Sequence, residues 1–220
     1  MALKHSYTLL APIYDTMVEK ATLSLRQRSI ANFINTLQAT ESTHPSDQAR
    51  VLLCGIGSGL DLPHLPAGPR YVGIDITPNM LKRAHQRAKQ HSHLQASLSL
   101  DVGDVMALPY DDDSFDYIIM HLILAVVPQP QRALLEAERV LKPKGKIFVV
   151  DKFLRRDQFA PIRRLVSPLI GQFATQTNVV FEELLASCYN LTSMLDEPAL
   201  ANGWFRRIVL QKNVVATAEV

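Results

Sequence analysis

Three glycines, Gly55, Gly57 and Gly59, follow an apolar run in the stretch VLLCGIGSGL and could hold a ligand with their backbone. Glycine adopts left-handed backbone angles, and it lets a ligand approach more closely than a Cβ atom would permit. A glycine loop alone does not identify its ligand. The spacing of the glycines and the residues around them must do so.

Two phosphate-binding patterns fail at this loop. A loop for nucleoside triphosphates ends in Gly-Lys followed by Ser or Thr, whereas Leu60 and Asp61 follow Gly59. A dinucleotide loop has its third glycine three positions after the second, where this chain has Leu60. The tighter GxGxG spacing therefore favours a ligand without a pyrophosphate.

Acidic residues end the next two predicted strands. Asp75 ends YVGID, where a carboxylate can accept hydrogen bonds from both hydroxyls of a ribose. Asp104 ends DVGD, where a carboxylate can accept a hydrogen bond from an exocyclic amine such as adenine N6, with Val105 and Met106 beside the ring. The glycine loop and the two acids together predict a nucleoside site.

These side chains can meet only if parallel strands bring their carboxyl ends to one edge of a sheet. Apolar and β-branched runs alternate with amphipathic segments, which predicts such strands joined by crossover helices. Thr77 precedes Pro78 as a helix N-cap. The predicted strands are RVLLC, RYVGID, ASLSLDVGD, FDYIIMHL and GKIFVVDKF, followed by an antiparallel pair, NLTSMLDEP and WFRRIVLQK; the crossover helices are TPNMLKRAHQRAKQHS and PQRALLEAERVLKP. The prediction is an α/β doubly wound sheet with helices on both faces.

The composition excludes several classes of protein. A net charge of +2 over 220 residues is too small for a dedicated nucleic-acid binder. The two cysteines, Cys54 and Cys188, read as buried reduced thiols, and the histidines have no metal-ligand spacing, so we expect no metal. The longest uncharged stretch is too short to span a bilayer. These features predict a cytoplasmic protein of one domain.

Four stretches resemble, in order and spacing, the class I S-adenosylmethionine-dependent methyltransferases: VLLCGIGSG, GIDITPNMLKRA, GDVMALPYDDDSFDYIIM and RVLKPKGKIFVVD. The resemblance implies a Rossmann-like sheet of seven strands in the order 3-2-1-4-5-7-6, with strand 7 antiparallel. It implies S-adenosylmethionine as cofactor and S-adenosylhomocysteine as product. The cofactor-binding residues that it implies are Cys54, Gly55, Gly57, Gly59, Asp75, Ile76, Met80, Gly103, Asp104, Val105 and Met120.

The expected organisation is a single domain in four parts. Residues 1–45 form an N-terminal helical cap, and residues 46–152 form the cofactor-binding core. Residues 153–190 form a helical segment that faces the substrate or a membrane, and residues 191–213 form the closing hairpin. The hairpin agrees with the antiparallel seventh strand of the resembling family.

Two positions depart from the family pattern. Family members have Asp or Glu two residues before the first glycine, where it interacts with the methionine end of the cofactor, and this chain has Leu53. Lys144 replaces a common glycine in the turn before the fifth strand. The first departure leaves two alternatives: weaker cofactor binding, or a methionine ammonium held by backbone carbonyls and residues of the N-terminal helix.

Three residues are candidates for the catalytic step. His121 ends the fourth strand and is either a general base or positioning donor, or a histidine packed at the strand end. Tyr7 and Tyr14 belong to SYTLLAPIYDTM, an N-terminal segment that folds over the cofactor in the resembling family. A nucleic-acid base as acceptor is disfavoured because MHLILA stands where such enzymes carry a proline-rich motif.

The acceptor is the least determined feature. Residues 152–173 place apolar side chains at helical spacing among five cations, which suits either an anionic membrane surface or a helix that faces the core. Four stretches that span nearly the whole chain are SYTLLAPIYD, LPHLPAGPRYVGIDITPNML, LILAVVPQPQRALLEAERVLKPKGKIFVVDKF and VLQK. They resemble bacterial phosphatidylethanolamine N-methyltransferases of the ubiquinone-methyltransferase-like type. This resemblance implies the lipid amine as acceptor and peripheral contact with the inner membrane face. The alternatives are a methyltransferase of a soluble or quinone-like small molecule and a noncatalytic S-adenosylmethionine-binding protein.

Overall fold

The computed structural model describes residues 22–40, 49–153, 179–200 and 203–214. The predicted strands are present with small differences at their ends. Helix α1 covers residues 22–40. The following elements are β1 (Arg50–Cys54), β2 (Arg70–Asp75), α2 (Pro78–Ala88), β3 (Leu98–Val102), β4 (Phe115–His121), α3 (Pro130–Val140), β5 (Leu141–Lys152), α4 (Phe181–Leu185), β6 (Leu191–Leu200) and β7 (Phe205–Lys212).

The strands form one seven-stranded sheet in the order β3-β2-β1-β4-β5-β7-β6, as predicted. The first five strands pair in parallel, and β7 pairs antiparallel with both β5 and β6. The carboxyl ends of β1 to β5 therefore lie along one edge, which we call the carboxyl edge. The turn between β6 and β7 lies at the same edge, because Phe205 at the start of β7 pairs with Lys152 at the end of β5.

Apolar side chains cover both faces of the sheet. On one face Phe33 of α1 contacts Tyr117 of β4 and Phe148 of β5 edge to face, within a buried cluster that includes Leu53. On the other face α3, α4 and the central strands form a second buried cluster. Central parallel strands are buried on both faces, which explains their nearly continuous apolar sequences.

Helices α2 and α3 both begin with proline, which is favourable at a first helical position because its missing N–H would have no partner there. Thr77 occupies the N-cap position of α2, but its side chain makes no capping hydrogen bond. The Thr77 N–H donates to Asp75 Oδ1 at 2.8 Å. The predicted N-cap position of Thr77 is confirmed, and Asp75 rather than the Thr77 side chain provides the hydrogen bond at this helix start.

The departure at Lys144 has a local structural consequence. Its φ is 67°, in the left-handed region that favours glycine, which is the residue that the family resemblance implies at this position. The next residue, Gly145, has no room for a side chain: a Cβ there would be 2.8 Å from the Asp116 carbonyl oxygen. Among the residues described, no helix is long and apolar enough to cross a membrane.

Candidate active site

The glycine loop follows β1 at the carboxyl edge, and its three glycines have φ values of 65°, 56° and 77°. A Cβ at Gly55 would be 2.4 Å from Ile123 Cδ1, and one at Gly59 would be 2.6 Å from Leu62 Cδ1. A Cβ at Gly57 would meet nothing closer than the Gly55 carbonyl oxygen at 4.0 Å. Gly55 and Gly59 therefore allow the loop to pack against the protein, while Gly57 leaves open space above it for a ligand.

Asp75 holds this loop against the end of β2. Its Oδ2 accepts a hydrogen bond from the Gly57 N–H at 2.9 Å, and its Oδ1 accepts the one from Thr77. Burial raises the pKa of Asp75, although these backbone donors oppose the rise. A carboxylate accepts about four hydrogen bonds, so Asp75 can bind the loop and a ribose together.

Apolar side chains are exposed at the ends of β2 and β3, beside the predicted base-binding acid. Ile76 is 48% exposed and Val102 is 61% exposed. Asp104 Oδ1 accepts a hydrogen bond from the Met106 N–H at 2.8 Å and is partly buried. This arrangement suits the flat face of an adenine. Val102 is absent from the sequence-based prediction, and its only signal was its position at the end of a strand.

Of the remaining predicted cofactor residues, some lie at the carboxyl edge and others lie in the hydrophobic core. The side chains of Cys54, Val105 and Met120 lie in the buried cluster beneath α3, and burial raises the pKa of the Cys54 thiol. Gly103 donates its N–H to the Asp75 carbonyl oxygen, and Met80 is partly exposed in the first turn of α2. For the three buried residues, only the backbone can border a ligand.

Position 53, where the family resemblance implies an acid, is buried and apolar in this structure. Leu53 is 2% exposed and lies in the cluster beneath α1. It pairs with Gly73 of β2 and Ile119 of β4 across the sheet. A carboxylate at position 53 would lie in this apolar cluster.

A buried group of polar residues lies beyond Leu53, where β1 and β4 meet α1. We call Arg26, Ser29, Asp61 and His121 the Asp61 cluster. His121 Nε2 is 2.9 Å from Ser29 Oγ, and His121 Nδ1 is 3.1 Å from Asp61 Oδ2. Arg26 Nη1 is 3.7 Å from Asp61 Oδ1. Sequence reasoning singled out His121 but missed its partners, because 92 residues separate His121 from Ser29.

The electrostatics of this cluster keep Asp61 ionised. Burial alone would raise its pKa, but His121, Arg26 and His64 together hold the pKa of Asp61 below its usual range. The Asp61 side chain is 13% exposed, compared with 3% for Arg26 and 2% for His121. Asp61 is therefore the least buried of these three side chains, although its Oδ1 is buried.

Two other sequence predictions concern metals and tyrosines. Among the described residues, no group of His, Cys, Asp and Glu could hold a metal ion. Tyr7 and Tyr14 lie outside the described residues, as does most of the basic segment that begins at Lys152. Their predicted roles stay predictions.

Comparison with known proteins agrees with this geometry. Residues 52–149 match the family model described as a methyltransferase domain. The chain is 31% identical over 154 residues to a phosphatidylethanolamine N-methyltransferase of Cereibacter sphaeroides, covering 70% of each chain. It is 32% identical over 147 residues to a demethylmenaquinone methyltransferase of Lactobacillus johnsonii, covering 66% of this chain and 58% of that enzyme.

Solved structures share the fold at lower identity. A [4+2]-cyclase, SpnF, superposes with a TM-score of 0.62 at 19% identity and covers 82% of both chains. An arsenic(III) S-adenosylmethionine methyltransferase of Chlamydomonas reinhardtii gives a TM-score of 0.58 at 22% identity, covering 77% of this chain and 64% of that one. Because a cyclase shares the fold, the fold alone does not define the chemistry.

The sheet order, the glycine loop and Asp75 define a nucleoside-binding Rossmann-like protein. The chain belongs to the S-adenosylmethionine-dependent methyltransferase family. The site fits this cofactor: open space lies above Gly57, Asp75 has spare acceptor capacity for a ribose, and exposed Ile76 and Val102 flank the adenine position.

Proposed function

We propose that this methyltransferase transfers methyl groups to the amine of phosphatidylethanolamine, or of its partly methylated forms, at a membrane surface. The observation that carries the proposal is the similarity to the Cereibacter sphaeroides enzyme, which extends over 70% of both chains. The demethylmenaquinone methyltransferase of Lactobacillus johnsonii is matched over a smaller share of its length, 58%.

The surface of the carboxyl edge supports a membrane-bound acceptor. Trp204 is 36% exposed and Leu200 is 38% exposed, and both flank the turn between β6 and β7. The Lys152 ammonium lies 5.9 Å from the centre of the Phe205 ring at the same edge. Tryptophan with neighbouring cations is typical of surfaces that contact an anionic membrane. The cofactor site and this surface therefore open toward the same side.

In this reaction the residues of the chain must bind the cofactor, exclude water and allow the acceptor amine to lose a proton. Bound S-adenosylmethionine supplies a methyl group already activated on a sulfonium. Asp75 and the glycine loop fix the nucleoside, and the apolar residues of the carboxyl edge exclude water from the site. The acceptor amine must lose its proton before it attacks.

His121, Tyr7 and Tyr14 are the predicted candidates for removing this proton. The His121 ring is 2% exposed and contacts Ser29 through one nitrogen and Asp61 through the other. A proton can therefore reach His121 only through Ser29 or Asp61, or after the ring leaves one of these partners. A general-base role requires one of these routes.

A quinone-like acceptor is the second candidate. It is supported by the 32% identity to the Lactobacillus johnsonii enzyme. Transfer to a quinone carbon would use the same cofactor site, with an apolar ring in place of the lipid amine. The two candidates differ in the atom that receives the methyl group.

The deciding experiment offers both acceptors to the full-length protein with radiolabelled S-adenosylmethionine. One reaction contains vesicles of phosphatidylethanolamine and an anionic lipid, and the other contains demethylmenaquinone in detergent. We expect label in mono-, di- and trimethylated phosphatidylethanolamine. Label in menaquinone alone, or in neither lipid, would contradict the proposal. Vesicles of phosphatidylcholine and the same anionic lipid are the control, because their headgroup has no amine to methylate.

A further inference from the structure

We propose that Asp61 receives the α-ammonium of the methionine end of S-adenosylmethionine, the contact for which related proteins use the acid that Leu53 replaces here. The inference rests on membership of the methyltransferase family and does not depend on the acceptor. It names a site residue, Asp61, that follows the glycine loop rather than preceding it.

The order of strands defines where the two ends of the cofactor lie. Along the carboxyl edge the order is β3, β2, β1 and β4. Asp104 follows β3 and Asp75 ends β2, so the base and the ribose lie on that side of the glycine loop. The amino-acid end must then lie across the loop, toward β4. Asp61 is on that side, because it contacts His121 at the end of β4.

The loop holds Asp61 in a fixed position close to Gly59. The Leu62 N–H donates to the Gly59 carbonyl oxygen at 3.1 Å, and the His64 N–H donates to the Asp61 carbonyl oxygen at 2.9 Å. These consecutive turns leave the Asp61 backbone little freedom. A carboxylate that is held in place before the ligand arrives binds an ammonium at a lower entropic cost.

The carboxylate of Asp61 has capacity for another donor. Within the described residues, Asp61 Oδ1 makes no hydrogen bond, and its nearest cationic contact is Arg26 at 3.7 Å. A carboxylate can accept about four hydrogen bonds, and His121 uses one position at Oδ2. An ammonium has three donors and prefers an ionised acceptor such as this one.

The charges of the cluster match a zwitterion. Arg26 is a cation beside the anionic Asp61, and the methionine end of the cofactor carries one carboxylate and one ammonium. Leu53, by contrast, is packed among apolar side chains and offers no acceptor. The acidic role at this end of the site therefore falls to Asp61.

The test compares two ligands that differ only at the amino-acid end, with no acceptor present. S-adenosylhomocysteine carries the ammonium, and 5′-methylthioadenosine has the same adenosine and thioether without it. Isothermal titration of the Asp61→Asn variant should show binding of S-adenosylhomocysteine weakened about tenfold or more, because the variant loses a hydrogen bond between two charged groups. Binding of 5′-methylthioadenosine should change by less than about twofold, as for a substitution remote from the ligand.

The matched control is Asp75→Asn, which should weaken both ligands by the same factor because both carry the ribose. If Asp61→Asn weakens both ligands equally, or neither, the inference is wrong and Asp61 serves only to position His121. If the wild-type protein binds neither ligand, the inference is also wrong. A lipid assay that fails while the ligand contrast holds would affect only the proposed acceptor.

A second measurement covers the case in which Asp61→Asn does not fold. In wild-type protein labelled with ¹³C at aspartate side-chain carboxyls, saturating S-adenosylhomocysteine should shift the Asp61 resonance and lower its pKa further, because an ammonium favours the ionised form. Saturating 5′-methylthioadenosine should leave the Asp61 pKa unchanged. Equal effects of the two ligands on Asp61 would overturn the inference.

Discussion

At the scale of single residues, Leu53 belongs to the core of the protein. It is 2% exposed in the cluster under α1. We therefore expect Leu53→Asp to lower the free energy of unfolding by about 3 kcal/mol or more, because it places a charge in an apolar cluster. We also expect no gain in S-adenosylhomocysteine binding, since Asp61 already provides the acid.

Leu53→Met is the matched control for this change, because it conserves volume and should cost less than about 1.5 kcal/mol. Urea denaturation and ligand titration measure the two effects. A stable Leu53→Asp variant that binds S-adenosylhomocysteine more tightly than the wild type would show that the methionine end still contacts position 53.

Gly57 separates the folding role of the glycine loop from its binding role. Its φ is 56° and a Cβ there would meet no protein atom closer than 4.0 Å. Gly57→Ala should cost about 1–2 kcal/mol of stability through the left-handed backbone. It should weaken S-adenosylhomocysteine binding by about tenfold or more, because the methyl group occupies the ligand's space.

Gly203→Ala is the control for backbone strain, since Gly203 has a φ of 85° in the turn between β6 and β7. It should cost similar stability by thermal unfolding and leave ligand affinity unchanged. Equal affinities for the two alanine variants would mean that no ligand approaches Gly57.

The sequence singles out the residues of the glycine loop, but of the Asp61 cluster it singles out only His121. Gly55, Gly57, Gly59 and Asp75 have local spacing that carries a physical meaning. The Asp61 cluster depends on α1 packing over β4, and side chains 92 residues apart in sequence leave no spacing to recognise. The acid beside the glycines was visible in the sequence, but its orientation was not.

At the scale of elements, Asp151 joins β5 to the loop that follows β4. Its Oδ2 accepts a hydrogen bond from the Ala125 N–H at 3.0 Å, and its Oδ1 accepts one from the Lys152 N–H at 2.7 Å. The side chain is fully buried, and burial raises the pKa of Asp151 to about 6. This loop carries Ile123, which packs over Gly55.

The raised pKa of Asp151 predicts a pH-dependent stability. The folded state binds the proton more tightly than the unfolded state, so this contribution is fully present below about pH 4 and is lost as pH rises through about 6. A shift of about two units corresponds to roughly 3 kcal/mol. Because Asn does not titrate, the stability of wild type relative to Asp151→Asn should fall by about that amount between pH 4 and pH 7.

Denaturant unfolding of both proteins across this range measures the effect. The Asn side chain loses one of the two accepted hydrogen bonds at every pH. This loss lowers the free energy of unfolding of Asp151→Asn by the same amount throughout and does not change its dependence on pH. Parallel stability curves for the two proteins would mean that Asp151 titrates alike in the folded and unfolded chains.

The elements themselves were predictable because their patterns are local. Strands β1, β2 and β7 match the predicted segments to within one residue, since apolar runs bounded by polar turns define them. Strand β5 begins at Leu141, four residues before the predicted start at Gly145. The left-handed Lys144 allows the chain to turn and still pair, and no sequence rule assigns that conformation to lysine.

At the scale of the whole molecule, the carboxyl edge brings together the cofactor site and an exposed aromatic surface. This arrangement results from the antiparallel direction of β7, which starts at the edge where β1 to β5 end. The turn with Leu200 and Trp204 therefore lies at this edge. If β7 were parallel to the other strands, it would start at the opposite edge. The topology thus brings the exposed surface around Trp204 to the same edge as the cofactor site.

Two exposed aromatic residues at opposite edges test whether this side contacts a membrane. Trp204 is at the carboxyl edge, whereas Tyr189 precedes β6, whose first residue Leu191 pairs with Lys212 at the other edge. Trp204→Ala should weaken binding to vesicles of phosphatidylethanolamine and an anionic lipid by roughly five- to thirtyfold, since burying its ring contributes about 1–2 kcal/mol. Tyr189→Ala removes an aromatic that is 89% exposed and should leave vesicle binding unchanged. Co-sedimentation at low salt measures both variants, and equal losses, or a loss for Tyr189→Ala alone, would mean that the carboxyl edge is not the membrane-facing side.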